Sequence, residues 1–318
     1  MTRPHQSPMR LAIVGQQAFG KSVLEAFLSR GATVAGVFCA PEDPGAKPDP
    51  LRRAAEERGL QVFQLRSLKD EQASRALRAL NVDLGVMAYV LQFAPQTFVN
   101  IPKHGTIQYH PSLLPRYRGP SSVNWPIIKG DTQTGLTIFR PSDGLDEGPI
   151  ILQKAVPIGP DDTLGTVYFD RLFPLGVDAL LEAADLVITG QAREIPQCQD
   201  LASYEGWCRD PESRINWQAH VDQVYNLIRG CNPSPGAWTM FQGDKVRVYD
   251  VVRHRTRTFA TVPGNPGEVC AIGEQSIEVA AQGGRLELRT VRLETGPKMA
   301  AGALATALRI TVGATLES

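Results

Sequence analysis

Residues 10–40 read RLAIVGQQAFGKSVLEAFLSRGATVAGVFCA, and this stretch decides the fold. RLAIV is an apolar run of strand length, and GQQAFG is a turn bounded by glycines. SVLEAFLSRG then carries apolar residues at helical spacing and stops on Gly31, before a second apolar run, ATVAGVFCA. Strand, turn, helix, strand is the start of a parallel sheet with a helical crossover.

The alternation continues outward from there. The loop PEDPGAKPDP (41–50) leads to a helix LRRAAEERG (51–59), a strand LQVFQL (60–65) and a helix DEQASRALRAL (70–80). A strand VDLGVMAY (82–89), a short helix APQTFVN (94–100) and a strand GTIQYH (105–110) follow. TGLTIFR (134–140) and PIILQKAVPI (149–158) read as two strands around the turn-forming loop PSDGLDEG (141–148). GPDDT (159–163) then caps a helical stretch that runs to about Gly190, with Pro174 expected to kink or break it.

The texture changes after about Gln191. IPQCQDLASYEG (195–206) is irregular, and INWQAHVDQVYNLIRG (215–230) reads as one amphipathic helix. Beyond Ala237 short β-rich runs crowd together: AWTMFQ, KVRVYDVVRH, GEVCAIG, SIEVAAQ and GRLELRTVRL. Their close spacing predicts a small barrel. The expected division is therefore an α/β domain over residues 1–205 and a β-barrel domain over 206–318.

Composition narrows the function classes. Of 318 residues, 42% are hydrophobic and 21% charged, which excludes a disordered or collagen-like chain. Thirty-three basic residues balance 33 acidic ones, so no bulk field attracts nucleic acid or an anionic membrane. The five cysteines contain no C-x-x-C pair, which argues against a disulfide framework and a thiolate zinc site. The basic N-terminus MTRPHQSPMR precedes only LAIV before Gly15, too short a run for a signal peptide, and no run of 18 apolar residues occurs later. A cytoplasmic protein without a membrane span is expected.

GQQAFG lacks the G-x-G-x-x-G spacing, and the second strand ends at Phe38, Cys39 and Ala40 with no acid for a ribose hydroxyl. These features argue against NAD(P). The segment GTIQYHPSLLPRYRGPSSVNWPIIKGD (105–131) carries more chemistry. His110 ends a strand, held extended by Pro111, at the side of an open sheet where ligands bind. Arg116 and Arg118 follow in the loop, and Asp146 lies in GLDEG about 35 residues further on.

HPSLLPRYRG and GLDEG together resemble the folate-dependent formyltransferases. The likeness is nearest to the N-terminal hydrolase domain of 10-formyltetrahydrofolate dehydrogenase and more distant to methionyl-tRNA formyltransferase. It extends through GQQAFG, PGAKPDPL, LQFAP, NWPIIKGD, GLDEGPIILQK, PDDT, INW, IRG and PGAW. The resemblance implies a Rossmann-like formyltransferase domain followed by a small OB-like barrel. It also implies 10-formyltetrahydrofolate as the formyl donor, with no metal and no NAD(P).

By this resemblance His110 and Asp146 take the acid and base roles that a tetrahedral intermediate needs. Typical formyltransferases carry asparagine two residues before the histidine, and the hydrolase domain also departs from it; here Gln108 stands there, on the same strand face as His110 and one methylene longer. It is expected to reach the oxyanion from a shifted position; the alternatives are a different contact with the ligand and a merely structural strand residue. The resemblance places the pterin against Met87, Ala88, Tyr89, Val90, Leu91, Gln92 and Phe93, and against Ser142, Asp143 and Gly144. The alternative for Leu91 and Phe93 is ordinary core, and Ser142 stands where many relatives have an acid.

The loop at 41–50, where tRNA-binding relatives carry a basic insertion, has one lysine and three acids. A small-molecule amine or water is therefore expected as acceptor in place of tRNA. With the chain ending at Ser318, no aldehyde dehydrogenase portion and no oxidation of formyl to carbon dioxide are expected. The leading expectation is a formyltransferase acting on a small amine. A hydrolase releasing formate and a folate-binding protein without turnover are the alternatives.

Overall fold

The computed structural model describes residues 9–256 and 264–318. The N-terminal segment read above for a signal peptide lies, up to residue 8, outside them. Strand β1 (Arg10–Gly15), helix α1 (Gln17–Ser29), β2 (Thr33–Cys39), α2 (Pro50–Glu56) and β3 (Val62–Gln64) come first. They are followed by α3 (Glu71–Leu80), β4 (Leu84–Ala88), α4 (Gln96–Val99), β5 (Thr106–His110) and α5 (Asn124–Lys129). Next come β6 (Gln133–Phe139), β7 (Ile150–Pro157), α6 (Leu164–Val167) and α7 (Phe173–Ile188). The chain finishes with α8 (Val221–Gly230), β8 (Ala237–Phe241), β9 (Asp244–Arg255), β10 (Val269–Ile272), β11 (Ile277–Ala281), β12 (Gly284–Leu293), β13 (Met299–Ala300) and α9 (Ala301–Leu308).

Two compact units emerge. One comprises the chain up to Arg118 with Gly135–Val156 and Arg171–Tyr204; the other comprises Gly119–Thr134, Pro157–Asp170 and Glu205–Ser318. Two stretches inside the first expected domain thus group with the second unit.

The first unit is built on a seven-stranded sheet in the order β3-β2-β1-β4-β5-β6-β7. Strands β1 to β5 pair in parallel, and β6 runs antiparallel to β5. The Rossmann-like α/β class expected from the alternation is therefore the one observed. Chain direction across the sheet reverses its order between β1 and β4, the crevice position for ligands in such sheets. Gly15 closes that crevice tightly, since a Cβ there would lie 2.1 Å from the carbonyl oxygen of Ala88. Its glycine serves strand-to-strand approach, with no dinucleotide fingerprint needed.

Strand β5 is clamped from behind. Tyr109 points away from Gln108 and His110 by strand alternation. Its ring packs on Phe19 of α1 at 4.4 Å, and Phe19 meets Phe173 of α7 edge-on at 5.2 Å. Gly176 lets α7 come this close, because a Cβ there would sit 2.5 Å from the Tyr109 ring. Pro174 occupies the first turn of α7, after a five-residue π-helical turn over Tyr168–Leu172 that interrupts the expected long helix.

The second unit holds an antiparallel sheet in the order β10-β11-β12-β9-β8, with β13 pairing on β12. Its two edges are joined by the last residues. Val269 N–H donates to Ala314 O at 2.8 Å and Leu316 N–H to Gly267 O at 2.9 Å on one side, while Glu317 N–H donates to Met240 O at 2.9 Å on the other. The core of this unit includes Trp217, Tyr225, Phe241, Ile277, Leu288 and Leu316, all buried.

Three elements differ from expectation. The helix read over 215–230 begins only at Val221, where His220 Nδ1 caps the Asp222 N–H at 3.2 Å. The preceding residues pair beside β8 instead, Ile215 N–H donating to Trp238 O at 2.8 Å, and a buried Trp217 Nε1 donating to Thr239 Oγ1 at 3.0 Å. Tertiary pairing has overridden helical periodicity there. Helices α5 and α9, which the sequence reading omits, are short and gain their burial from packing.

An ion-pair cluster on the second unit provides a test of its stability. Arg247 first and Lys245 second hold the Asp210 carboxyl down at about 2, from an ordinary 3.8. Arg247 reaches Asp210 at 2.9 Å and Glu294 at 3.0 Å. A carboxyl depressed in the folded state contributes stability above its unfolded value and loses it as the pH falls through the folded value. Asp210 is 45% exposed, so screening reduces the contribution to about 1 kcal/mol. Asp210→Asn is expected to cost roughly that much at neutral pH and to flatten the loss of stability between about pH 4 and pH 2. Denaturation at stepped pH checks this; parallel curves for the two proteins would refute it.

Candidate active site

His110 is the last residue of β5, opposite Thr137 of β6. Gln108, two residues earlier on the same face, lies between Met87 of β4 and Phe139 of β6. The strand ladder thus fixes both polar side chains on one side of a sheet whose other side is core. The loop after His110 is pinned to the neighbouring strands. Thr137 Oγ1 donates to Ser112 O at 2.7 Å and accepts from Leu114 N–H at 3.1 Å. Gln153 Nε2 of β7 donates to Leu114 O at 2.7 Å and to Thr137 Oγ1 at 2.9 Å.

That loop returns to the histidine. Tyr117 O lies 2.8 Å from His110 Nε2. A carbonyl oxygen only accepts, so Nε2 carries a proton and the neutral ring presents a lone pair at Nδ1. Nδ1 faces Asp146 Oδ2 at 3.6 Å, and the two side chains are only 7% and 9% exposed. Asp146 sits in the left-handed region with φ 55°, which aspartate adopts more readily than most non-glycine residues, and its carboxylate faces His110 at the end of β5. Two residues on, Gly148 is obligatory: a Cβ there would lie 1.6 Å from Arg140 O.

The pair can therefore take one proton from a group brought beside Nδ1 and hold it as imidazolium against carboxylate. It can return the same proton to a departing atom. Donors for an oxyanion would come from the same face, where Gln108 is half-buried.

The residues expected against the pterin divide into two sets. Met87 and Ala88 are buried at the end of β4. Tyr89, Leu91 and Phe93 are 42%, 57% and 45% exposed, so none of them is core. Val90 is half-buried, and Gln92 turns away to donate to Leu65 O at 2.9 Å and Arg66 O at 3.0 Å. Tyr89 has φ 61°, which swings the chain out of β4. Ser142 and Gly144 are half-buried in the loop before Asp146. Exposed Asp143 joins that loop to α4, its Oδ1 accepting from Gln96 N–H at 3.2 Å. The two expected binding segments are thus tied to one another.

A separate concavity of about 440 Å³ against α7 contains none of these residues. Two of its charged lining residues, Arg30 and Asp185, pair at 2.9 Å. The roles of the Tyr117 carbonyl, Thr137 and Gln153 escape sequence reading. A carbonyl has no sequence signature, and Thr and Gln in strands are ordinary.

The chain matches the formyl transferase family over residues 9–183 and the formyl transferase C-terminal domain over residues 209–309. It is 38% identical over 269 residues to mitochondrial 10-formyltetrahydrofolate dehydrogenase of Homo sapiens, covering 83% of this chain and 29% of that protein. The chain thus spans less than a third of that relative's length. It is 35% identical over 294 residues to methionyl-tRNA formyltransferase of Syntrophus aciditrophicus (strain SB), covering 91% of this chain and 93% of that protein. The fold is shared with the N-formyltransferase of Helicobacter canadensis, solved with folinic acid and dTDP-3-aminofucose. The TM-score is 0.66 at 17% identity, over 88% of this chain and 99% of that one. Matched along most of its length by the family's two domains, the chain belongs to the formyl transferase family.

Proposed function

We propose that the chain transfers the formyl group of 10-formyltetrahydrofolate to an amine of a small-molecule acceptor. The observation that carries this reading is the buried approach of His110 Nδ1 to Asp146 at 3.6 Å, on the strand face that also presents Gln108. The amine nitrogen would bond to the formyl carbon while the C=O electron pair moves onto oxygen. The amine proton passes to the His110 and Asp146 pair, and the Gln108 amide donates to the oxyanion. The bond from carbon to N10 then breaks, and the pair delivers the proton to N10. Tyr89, Leu91 and Phe93, already exposed, offer apolar surface for a flat ring, with the loop at Ser142, Asp143 and Gly144 on the polar edge.

The loop at 41–50 supports a small acceptor. Asp49 caps α2, accepting from Leu51 N–H at 2.8 Å, and also accepts from Gln17 N–H at 2.7 Å. Burial opposes ionisation of Glu42, but hydrogen bonds from the Asp49 backbone, Gln64 and Arg52 hold its carboxyl at about 2. The loop is built around carboxylates, which suits a polyphosphate backbone poorly.

The 38% identity to a 10-formyltetrahydrofolate dehydrogenase favours a second reading, in which water replaces the amine and formate is released. Incubation with 10-formyltetrahydrofolate, with and without a pool of metabolite amines, separates these outcomes by mass spectrometry. A formylated amine supports transfer; formate with or without amines supports hydrolysis; neither product leaves folate binding alone.

Removal of the pair should be decisive. His110→Ala and Asp146→Asn are each expected to lower formyl release by roughly 10² to 10⁴-fold with unchanged circular dichroism. The double variant should be little worse than either single one, because the two groups act as a unit. Turnover near wild type in either folded variant would overturn the assignment.

Gln108 is tested separately. Gln108→Ala is expected to reduce single-turnover formyl release by roughly 10² to 10³-fold while leaving folate affinity nearly unchanged. An effect on affinity alone would make it a ligand-positioning residue. Gln108→Asn, compared in the same assay, shows whether the extra methylene matters.

A further inference from the structure

The segment after α7 forms a strap across the loops that carry the reactive pair. Ile195 exchanges two backbone hydrogen bonds with Ile150 at the start of β7, at 2.8 and 2.9 Å. Gln197, 8% exposed, then uses its whole amide. Its Nε2 donates to Asp146 O and to Gly148 O, both at 2.8 Å. Its Oε1 accepts from Arg118 Nε at 3.0 Å and from Arg118 Nη2 at 2.7 Å. Further along, Ser203 Oγ accepts from Tyr117 N–H at 2.8 Å and Ser203 O accepts from Arg118 N–H at 2.9 Å.

One amide therefore joins the backbone of the aspartate loop to the buried guanidinium of the loop that follows His110. On one side is the carbonyl of Asp146, held at φ 55°. On the other is Arg118, next in the chain to Tyr117, whose carbonyl fixes His110 Nε2. Arg118 is fully buried, and its Nη1 also donates to Gln199 Oε1 at 2.9 Å, to Tyr204 OH at 2.6 Å and, more weakly, to Glu147 Oε1 of the aspartate loop at 3.4 Å. A side chain bonded at every donor and acceptor has one geometry available, so it transmits the position of one loop to the other.

We propose that Gln197, anchored by Arg118, is a positioning residue that sets the distance between His110 and Asp146. It touches no reacting atom. The inference rests on the reading of His110 and Asp146 as the proton-transfer pair. Misplacing a reacting group by about an ångström can lower turnover by about 10²-fold. Losing Gln197 is therefore expected to act on rate and to spare folate affinity.

Gln197→Leu leaves a buried guanidinium short of acceptors and can fail to fold. Gln197→Glu keeps an acceptor for Arg118 and removes the donors to Asp146 O and Gly148 O, so it is the variant of choice. It is expected to reduce single-turnover formyl release by roughly 10 to 100-fold, with the tetrahydrofolate dissociation constant within about two-fold. In an Asp146→Asn background the same change should cost less than about two-fold, since a group acting through Asp146 has nothing left to position. The ¹⁵N resonances of the His110 ring, assigned by their loss in His110→Ala, should move in Gln197→Glu whether or not turnover is measurable.

Equal losses in both backgrounds, unmoved ring resonances, or full turnover in folded Gln197→Glu would overturn the proposal. If His110→Ala keeps its turnover, the underlying reading of the pair fails. If His110→Ala is inactive and Gln197→Glu is fully active, the positioning role alone fails.

Discussion

A carbonyl oxygen has no proton to give, and at Tyr117 that constraint orders the site. Because Tyr117 O accepts from His110 Nε2 at 2.8 Å, only the other ring nitrogen, which faces Asp146, is left to take up or give a proton. Were Nε2 free to exchange tautomers, the ring would hold its proton toward the carboxylate and have no acceptor there for a nucleophile. The carbonyl does this only if the loop from Pro111 to Arg118 is rigid. Thr137 and Gln153 fix its first half and Ser203 its second, through hydrogen bonds at 2.7 to 3.1 Å typical of well-made pairs.

The parallel sheet supplies the other half of the geometry. A strand end is placed by its neighbours, and β5 is held by ladders to β4 and β6 on its edges. Tyr109 anchors its rear face in the aromatic contact with Phe19. Strand alternation then does the rest, since burying residue 109 in the core obliges 108 and 110 to share the opposite face. A substitution in this aromatic group would act on the site through strand position, without touching a polar atom.

Much of this was legible beforehand, for physical reasons. The run from Arg10 to Ala40 shows its strand and helix because local periodicity and burial agree there. His110 and Asp146 stand out through motif, since proline and glycine frame both. The stretch over 215–230 misleads, because Trp217 is buried for a contact with β8 and falls by chance four residues before Val221, in helical register. Gln197 was invisible. It lies in an irregular run, 79 residues from Arg118 and 51 from Asp146, and an amide at such distance carries no local pattern. The exposure of Leu91 and Phe93 was likewise unreadable, since apolar residues near a strand end are usually core.

The charge balance of the pair bears on which acceptor the site can serve. With His110 neutral and Asp146 ionised the buried pair carries one negative charge, and uptake of a proton brings it to neutrality. An attacking amine must shed a proton as it bonds to carbon, and so must water, so both acceptors load the pair in the same way. What separates them is where the reacting carbon sits. Gln108 projects its amide about 1.5 Å further than asparagine would, the length of one carbon–carbon bond. In the proposed reaction an oxyanion held by that amide would lie further from β5 and carry the formyl carbon with it. In that reaction the room between the formyl carbon and Nδ1 would decide between an amine and water as acceptor.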